Sequence, residues 1–292
     1  MKLSNSDIEH LCQLALKAAQ KAGKIIHESI NSKVTVATKD GADSLASQVV
    51  TEVDVKAQDA ILKVLAPTFE RYDLALLTEE STDDKSRFEK DYFWCIDPMD
   101  GTLAFTQQKP GFAVSIALVA KNGEPQLGVV FDPSSHTFYH AIKGKGAYKN
   151  GQVWHIEASS STFTFHVDQA FAQSEQFSSI AERIKSVAQE AGFPDFKIQK
   201  YAGAVLNAIW TIDRAPGCYF KIPKPQKGGG SIWDFAASAC IANEAGTYGR
   251  SFDDSAFDLN RKDSTFMNHR GAFFASDETL AKMIQNKASL IS

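Results

Sequence analysis

The chain has 292 residues, of which 43% are hydrophobic and 23% are charged, a composition typical of a soluble globular protein with a sizeable core. Its formal net charge of -4 argues against a nucleic-acid-binding surface, because such surfaces usually carry a basic excess. No apolar run approaches the roughly 18 residues that a membrane-spanning helix requires, and the polar first residues are unlike a signal peptide. We therefore expect a cytoplasmic protein that binds neither nucleic acid polymers nor membranes.

The cysteines are spread along the chain without a CxxC or Cys/His pairing, and each lies in an apolar context. This pattern predicts free, buried thiols in a reducing compartment, not a disulfide framework. They are Cys12, Cys95, Cys218 and Cys240.

Two amphipathic helices are predicted in the first part of the chain. Ser6 begins an S-x-x-E capping-box pattern, and apolar residues follow at helical spacing to about Ile30. A polar stretch at 31–48 comes next. A second helix is predicted over Asp54–Leu65, ending before Pro67 because proline has no N–H to donate within a helix.

Apolar runs bounded by turn residues then predict strands. The first is Leu74–Leu77, ahead of Glu79 and Glu80, and the second is Tyr92–Ile96, followed by a tight turn in "DPMDG". The segments "FAVSIALVAKNGEPQLGVVFD" and "TFYHAIKGKGAYKNGQ" are broken at Asn-Gly and Gly-Lys-Gly, which predicts successive antiparallel strands.

Beyond about residue 156 the pattern changes to alternating helices and short strands. We therefore predict a helix-plus-antiparallel-sheet subdomain at 1–155 and an α/β subdomain at 156–292. The predicted helices of the second half are Phe177–Ala191, Ala204–Asp213, Trp233–Ala245 and Glu278–Lys287. Its predicted strands are Cys218–Ile222 and Ala272–Ala275.

Acidic residues stand at the ends of several of these elements, where side chains can converge on a cleft. Each one alone is typical of a helix cap or a turn. Gathered together they would oppose one another's ionisation, and hard divalent cations such as Mg²⁺ or Mn²⁺ relieve that cost. The set is Asp54, Glu79, Glu80, Asp97, Asp100 and Asp234.

Zinc is not expected, because paired histidine and cysteine ligands are missing from the sequence. His136 and His140 are the nearest exception, four residues apart on a probable strand where they would share a face. One pair without a third ligand is more typical of a surface than of a metal site.

The contexts of the acidic residues resemble the inositol monophosphatase family, whose superfamily includes the fructose bisphosphatases and the 3'(2'),5'-bisphosphate nucleotidases. "VVTEVDVKAQDAIL" resembles the family's first acidic helix, and "LLTEES" resembles its Glu-Glu element. "WCIDPMDGT" is similar to its D-P-x-D-G-T signature, and "SIWDFAASACIANEAG" to its W-D-x-A-A helix. The resemblance spans nearly the whole chain. It implies an α/β (α+β) fold, a layered αβαβα sandwich of the sugar-phosphatase type with two subdomains.

The resemblance also implies roles at the matching positions of a phosphoric monoester hydrolase. Two or three Mg²⁺ ions, or Mn²⁺, would be held by Glu79, Asp97, the Met99 carbonyl, Asp100 and Asp234. The implied catalytic residues are Asp54, Thr102 and Glu79, of which Asp54 and Thr102 would orient and deprotonate the attacking water. The implied substrate contacts are Gly101, Thr102, Gly203, Ala204, Lys221 and Asp234. Inhibition by lithium and a homodimeric state, both common in the family, are further expectations.

Two alternatives are weighed against this interpretation. "MDGTL" is also similar to the haloacid-dehalogenase signature D-x-D-G-T, but here Asp97 and Asp100 are three residues apart and Pro98 lies between them. That phosphatase class would leave the distant W-D helix unexplained. A regulatory module without catalysis would be favoured by loss of a metal carboxylate, and none is lost.

The substrate is less well indicated. Lys221 stands where inositol-specific members have a glutamate, and the longer "YFKIPKPQKGGGSIWD" and "STFMNHRGAFFAS" resemble the bisphosphate nucleotidases. Lys221, Lys224 and Lys227 could meet a second phosphate, with Gly228-Gly229-Gly230 as a flexible run that lets the loop close. Asn207 departs from that subgroup, which tends to have lysine there. The expected substrates are a 3'(2'),5'-bisphosphate nucleotide or an inositol or sugar phosphate, with an inositol-1-monophosphatase as the alternative.

Overall fold

The computed structural model describes residues 2–30, 36–38, 49–156 and 160–288. Two short strands, β1 (Val36–Thr38) and β2 (Val49–Thr51), pair antiparallel. The remainder of the predicted polar stretch lies outside the described residues. The free, buried state predicted for all four cysteines is confirmed.

The larger sheet has seven strands in sequential order. The first two strands are parallel and the others are antiparallel, which confirms the predicted run of antiparallel strands. The strands are β3 (Ala75–Thr78), β4 (Tyr92–Asp100), β5 (Ala113–Ala120), β6 (Pro125–Asp132), β7 (Thr137–Ile142), β8 (Ala147–Lys149) and β9 (Gln152–Val153).

The smaller sheet has five strands, in the order β11-β10-β12-β14-β13. Strands β11, β10 and β12 are mutually parallel, whereas β14 runs antiparallel to both of its neighbours. The strands are β10 (Thr162–His166), β11 (Asp195–Gln199), β12 (Gly217–Lys221), β13 (Tyr248–Arg250) and β14 (Ala272–Ala275).

Helices of the described residues separate and cover the two sheets. The longer ones are α1 (Asn5–Ser29), α2 (Glu52–Arg71), α5 (Phe177–Glu190), α6 (Ala204–Asp213), α7 (Ile232–Glu244) and α8 (Glu278–Ala288). The short ones are α3 (Thr102–Thr106), α4 (Gln169–Ala172) and a 3₁₀ turn at Ser86–Phe88. Among the described helices, none combines the length and apolar character that a membrane crossing requires.

The elements stack in five layers, which confirms the predicted αβαβα sandwich. Helices α1 and α2 pack on one face of the larger sheet, while α6 and α7 fill the space between the sheets. Helices α5 and α8 cover the outer face of the smaller sheet. The central strands of the larger sheet are covered on both faces, and they are therefore almost continuously apolar, as in "AVSIALVA" of β5. The predicted subdomain boundary at residue 155 stays a prediction, since α6 and α7 share one core with both sheets.

Two helix limits differ from the predictions. Helix α1 is capped by Ser4 and Asp7, not by Ser6, because an equivalent capping box two residues earlier lets Leu3 reach the core. Helix α2 was expected to end before Pro67, and it continues to Arg71. The added turn places Thr68 under the sheet, where its hydroxyl accepts a hydrogen bond from Trp94 Nε1 at 2.9 Å. The tertiary packing of this turn therefore outweighs the loss of the helical hydrogen bond that proline, which has no N–H, cannot donate.

Two strand predictions are also wrong in detail. Strand β4 does not stop at Ile96 before a turn, since it continues to Asp100 beside β5. His136 lies in the turn before β7 with φ of 53°, so it does not share a strand face with His140. Its ring instead lies against His27, with centroids 4.6 Å apart, whereas His140 stacks on Tyr148.

Gly128 permits the close approach of α7 to the larger sheet. A Cβ at this position would lie 2.5 Å from the carbonyl oxygen of Ala237 in α7. Since α7 also carries Asp234 near its first turn, this contact helps to set the position of that carboxylate.

We expect Gly128→Ala to lower the free energy of unfolding by about 1–3 kcal/mol, because the added methyl forces α7 away from the sheet. Equilibrium urea denaturation measures the loss, and calorimetric Mg²⁺ titration should show weaker binding. Gly192→Ala is the control, since a Cβ there meets nothing within 4 Å although φ is +89°. It should cost about 1–2 kcal/mol from backbone strain and leave Mg²⁺ binding unchanged. Unchanged stability in Gly128→Ala would contradict the crowding argument.

Candidate active site

Asp97 and Asp100 face one site because β4 is irregular between them. Side chains alternate along a strand, so residues three apart would point to opposite faces. The pairing of β4 with β5 shifts register between Asp97 and Asp100, which adds the residue that returns both carboxylates to the same side. Gly101 then ends the strand with φ of 85°, and its Cα lies so close to Gly111 that a Cβ would meet that carbonyl oxygen at 2.4 Å. Only glycine fits this turn.

Asp54 and Asp234 each occupy the third position of a helix, and both helix starts are capping boxes. Asp54 Oδ2 accepts hydrogen bonds from the N–H and hydroxyl of Thr51, at 2.7 and 2.6 Å. Asp234 Oδ2 accepts from the N–H of Ser231 at 2.9 Å. The capping role and the site role therefore coexist, since Oδ2 of each carboxylate is bound to its cap, while Asp54 Oδ1 accepts from the pocket residue Thr102 and Asp234 itself lines the pocket.

The carboxylates of Asp97, Asp100 and Asp234 converge, with one oxygen from each within 4.8 Å of the others. Burial raises the pKa of Asp97 well above its ordinary range, and the charges of Glu79, Asp100 and Asp234 raise it further. Burial and Asp234 raise the pKa of Asp100 in the same way. Protonation or a bound cation relieves the repulsion of like charges this close and this buried, and an all-oxygen donor set suits a hard divalent cation.

Glu79 lines the same pocket. It follows β3, whose last residue, Thr78, is paired with Ile96 of β4, so Glu79 is level with Asp97 at the same sheet edge. The structure thus brings together the four side chains that the sequence proposed as metal ligands. The Met99 carbonyl, the fifth proposed ligand, lies 3.1 Å from the hydroxyl of Thr102.

Thr102 and Asp54 form a buried pair beside this cluster. Thr102 Oγ1 lies 3.0 Å from Asp54 Oδ1, and the two side chains are 8% and 1% exposed. Burial raises the pKa of Asp54 to about 6, against the lowering effect of the Thr51 hydrogen bonds. A carboxyl with this pKa can take up and release a proton close to neutral pH.

Gly203 and Ala204, proposed as substrate contacts, lie against Asp100. The Asp100 carboxylate accepts from the N–H groups of Ala204 and Val205, at 3.1 and 2.9 Å, at the start of α6. A Cβ on Gly203 would lie 2.3 Å from Asp100 Oδ2, so the residue must be small. The N-terminus of α6 therefore supplies positive potential to the carboxylate cluster.

The cluster forms the floor of a pocket of about 800 Å³. One wall is the pocket loop, defined here as residues 222–231, which connects β12 to α7. Side chains of mixed polarity complete the walls, and they include Asp168, Phe171, Tyr201, Lys221, Trp233 and Phe266.

Lys221 is not extended toward open solvent. Its Nζ lies 2.9 Å from Asp168 Oδ2, and the two side chains are 21% and 16% exposed. Burial by itself lowers the pKa of Lys221, but the carboxylates of Asp168, Asp234 and Asp100 outweigh it, and the pKa lies above its ordinary value. Asp168 is held from its other side by the Tyr219 hydroxyl at 3.1 Å. Lys221 is therefore the ammonium partner of a fixed carboxylate inside the pocket.

Sequence reasoning missed Asp168. Its signal was available, because "TFHVD" places an acidic residue just after β10, as in the other acidic segments. Asn207, noted only as a departure from the nucleotidases, places its Nδ2 3.4 Å from Asp168 Oδ1 and 3.0 Å from the Ala202 carbonyl. It therefore helps to position Asp168.

The predicted flexibility of the glycine run stays a prediction, and the structure gives these glycines a backbone role. Gly228, Gly229 and Gly230 have φ of 124°, 74° and 78°, which side chains rarely adopt. A Cβ on Gly230 would also lie 2.6 Å from the Phe235 ring. The glycines thus meet a backbone requirement in a tightly packed loop. Lys224 lines the pocket, whereas Lys227 is exposed outside the pocket lining that the described residues form.

Comparisons with known proteins agree with this fold. The family model described as "Inositol monophosphatase family" matches residues 7–288. The inositol-1-monophosphatase of Bacillus subtilis (strain 168) is 26% identical over 247 residues, covering 80% of this chain and 82% of that protein. A Nus factor SuhB of Pasteurella multocida (strain Pm70) is 28% identical over 242 residues, covering 81% of this chain and 83% of that protein.

Solved structures share the fold. An IMPase from Thermotoga maritima superposes with a TM-score of 0.73 at 23% identity, covering 97% of this chain and 100% of that one. SaIMPase-II bound to inositol monophosphate gives a TM-score of 0.68 at 20% identity, with 95% and 92% covered. The same protein bound to 2'AMP gives a TM-score of 0.69 at 21% identity, covering 95% of this chain and 93% of that one.

A layered αβαβα fold with a carboxylate cluster at the floor of a pocket defines the class of metal-dependent phosphatases that act on small phosphorylated metabolites. Within that class, this chain belongs to the inositol monophosphatase family.

The carboxylate cluster predicts a pH-dependent effect of Mg²⁺ on stability. In the metal-free fold the pKa values of Asp97 and Asp100 are raised, so the folded state binds more protons than the unfolded chain. The cluster therefore makes its full contribution to the free energy of unfolding below about pH 4, the pKa of Asp in the unfolded chain. That contribution decreases as the pH rises toward the raised pKa of the folded state. We expect added Mg²⁺ to raise the melting temperature more near pH 8 than near pH 5, because at higher pH fewer protons compete with it.

Asp97→Asn should raise the melting temperature of the metal-free protein near pH 8 and remove most of the Mg²⁺-induced increase, as measured by scanning calorimetry. Glu182→Gln, on an exposed position of α5, is the matched control and should behave like the unaltered protein. An equal Mg²⁺ effect in Asp97→Asn and Glu182→Gln would refute binding at this cluster.

Proposed function

We propose that this protein is a Mg²⁺-dependent phosphatase that hydrolyses the phosphate monoester of a small polyol or nucleoside monophosphate. The observation that carries the proposal is the convergence of Asp97, Asp100 and Asp234 within 4.8 Å, beside the buried Thr102–Asp54 pair. Family membership supports phosphatase activity on small phosphorylated metabolites. The metal, the substrate and the roles of the residues are our proposals.

The residues around the pocket floor fit a hard divalent cation. Glu79, Asp97, Asp100 and Asp234 would hold it through carboxylate oxygens, with the Met99 carbonyl as a further oxygen donor. Bound Mg²⁺ supplies charge that polarises the phosphoryl oxygens, lowers the pKa of water and stabilises the leaving oxygen. The backbone fixes where these side chains stand, because the β4 irregularity, the α7 capping box and the α6 N-terminus each constrain one carboxylate.

Thr102 and Asp54 are the proposed path for the proton of the attacking water. Asp54 Oδ2 is already bound to Thr51, which leaves Oδ1 to accept the Thr102 hydroxyl proton. As the water oxygen attacks phosphorus, the P–O bond to the leaving oxygen breaks, the water proton passes to Thr102 Oγ1, and the Thr102 proton passes to Asp54. The released alkoxide takes up a proton from solvent. The raised pKa of Asp54, about 6, makes it a stronger base than an exposed aspartate.

A monophosphate is favoured over a bisphosphate by the state of Lys221. An ammonium already paired with Asp168 at 2.9 Å has its charge balanced by the protein, so it attracts a second phosphate less than an unpaired lysine would, although it keeps further N–H donors. Drawing the ammonium away from Asp168 would leave a largely buried carboxylate without its cation, which is costly. SaIMPase-II has been solved with inositol monophosphate and with 2'AMP, and these ligands support a monophosphate here. Inositol 1-phosphate is the alternative to a nucleotide, and the nucleotidase-like loop no longer argues for a second phosphate.

A substrate panel tests the proposal. We expect Mg²⁺-dependent hydrolysis of inositol 1-phosphate or adenosine 2'-monophosphate, with kcat/KM about tenfold or more above that for adenosine 3',5'-bisphosphate and fructose 1,6-bisphosphate. Phosphate release is measured with and without excess chelator, and LiCl should inhibit as the family resemblance implies. Full activity in chelator would refute the metal role, whereas a preference for the bisphosphates would refute the role given to Lys221.

Thr102→Ala should lower kcat on the order of a hundredfold with little change in KM, because the hydroxyl is assigned to the attacking water and not to the substrate. Thr102→Ser keeps the hydroxyl and should retain most of the activity. Steady-state kinetics of both variants on the best substrate of the panel provides the measurement. A rise in KM alone in Thr102→Ala would make Thr102 a substrate contact.

A further inference from the structure

The segment "STFMNHRG", residues 264–271, faces the pocket loop and is joined to it by backbone hydrogen bonds. The N–H of Met267 donates to the Gly230 carbonyl at 2.9 Å, and the N–H of Lys224 donates to the Asn268 carbonyl at 2.9 Å. Phe266 pairs with Ser231 in an isolated antiparallel bridge. The segment thus supports the wall of the pocket along its length.

Asn268 adds a side-chain clamp to these contacts. Its Nδ2 donates to the Lys224 carbonyl at 3.1 Å and lies 3.5 Å from the Pro225 carbonyl. The side chain is 8% exposed, so water competes little for these contacts. Two consecutive carbonyls of the pocket loop therefore face one buried amide.

Arg261 determines which way the Asn268 amide points. Its Nη1 lies 3.2 Å from Asn268 Oδ1 and 3.0 Å from the Phe266 carbonyl. Because a guanidinium only donates, the amide oxygen must face Arg261 and the NH₂ group must face the loop. Asp263 fixes the guanidinium in turn, through contacts of 2.6 and 2.7 Å.

The clamp is also connected to the loop that follows Glu79. The guanidinium of Arg87, which is fully buried, donates to the Arg261 carbonyl at 3.0 Å and to Asn260 Oδ1 at 2.5 Å. Arg87 Nε also donates to the Asp83 carboxylate at 2.9 Å. The loop that follows Glu79 and the pocket loop are therefore connected through the hydrogen bonds of Arg87, Arg261 and Asn268.

We propose that Asn268, oriented by Arg261, is a positioning residue that holds the pocket loop in place and thereby keeps the pocket wall in position to contact a large leaving group of the phosphatase substrate. The proposal rests on the phosphatase function above for its effect on substrates. Its effect on the loop is independent of that function. Asn268 contacts the loop backbone and none of the carboxylates, so its influence falls on the pocket wall and not on the chemical step.

Asn268→Asp is the test, because it replaces the NH₂ group by oxygen without a change of shape. The new oxygen still accepts from Arg261, but a carboxylate oxygen now faces the Lys224 carbonyl, and both groups are acceptors. Hydrogen exchange followed by mass spectrometry should show amides of residues 222–231 exchanging about tenfold faster. KM for adenosine 2'-monophosphate should rise about tenfold, while KM for glycerol 2-phosphate and both kcat values change less than about twofold.

Two further variants make the test specific. Arg270→Gln is the control, because Arg270 lies in the same segment but contacts Asp253 and Ser255, and it should leave exchange and KM unchanged. Arg261→Lys leaves Asn268 in place but removes the planar guanidinium that orients its amide. It should increase the hydrogen exchange of residues 222–231 in the same way as Asn268→Asp, but by a smaller factor. This second route keeps the proposal testable if Asn268→Asp does not fold.

Unchanged exchange of residues 222–231 in both Asn268→Asp and Arg261→Lys would overturn the proposal. An equal fall of kcat for both substrates, with KM unchanged, would also overturn it and assign Asn268 to general stability. If the unaltered protein hydrolysed neither substrate, the proposed function would fail, and the exchange measurement would still decide whether the clamp holds the loop.

Discussion

Repulsion among buried carboxylates is the constraint on which the rest of this structure depends. Asp97, Asp100 and Asp234 present oxygens within 4.8 Å of one another in a pocket floor, and burial raises the pKa of each. A fold does not gather such groups for its own stability, since desolvation and like charge both oppose them. A bound cation would relieve this repulsion, so the repulsion itself favours cation binding at the site.

Ordinary backbone devices hold the carboxylates against that repulsion. An irregular strand turns Asp97 and Asp100 to one side, the first turn of α6 donates two N–H groups to Asp100, and a capping box fixes Asp234. The same devices are common in proteins without active sites. Each carboxylate thus accepts structural hydrogen bonds and is also a candidate ligand, since a carboxylate oxygen has more than one lone pair, and the structural and functional interpretations do not compete.

Charge balance also governs the wall of the pocket that carries Lys221. Lys221 lies among Asp168, Asp234 and Asp100, so its positive charge is already balanced by the protein. A lysine in a sequence indicates a site for an anion only when its ammonium is available, and that depends on its neighbours. The pocket loop illustrates the same dependence on neighbours for glycine, because its three consecutive glycines have positive φ angles and Gly230 lies against the Phe235 ring.

The sequence by itself determined the family, the layered fold class and the residues that would form the carboxylate cluster, because these follow from local motifs such as "DPMDGT" and from apolar periodicity. Most helices and strands were also predicted, since their patterns are local. Helix α2 passes through Pro67 because Thr68 packs under Trp94, a contact from a segment more than twenty residues away. Asp168 and Asn268 were missed as site residues for the same reason: Asp168 meets Lys221 across neighbouring parts of the smaller sheet, and Asn268 meets the pocket loop from a distant segment. Only the tertiary structure decided these contacts, because the energy of a side chain in a pocket is set by partners that are remote in sequence.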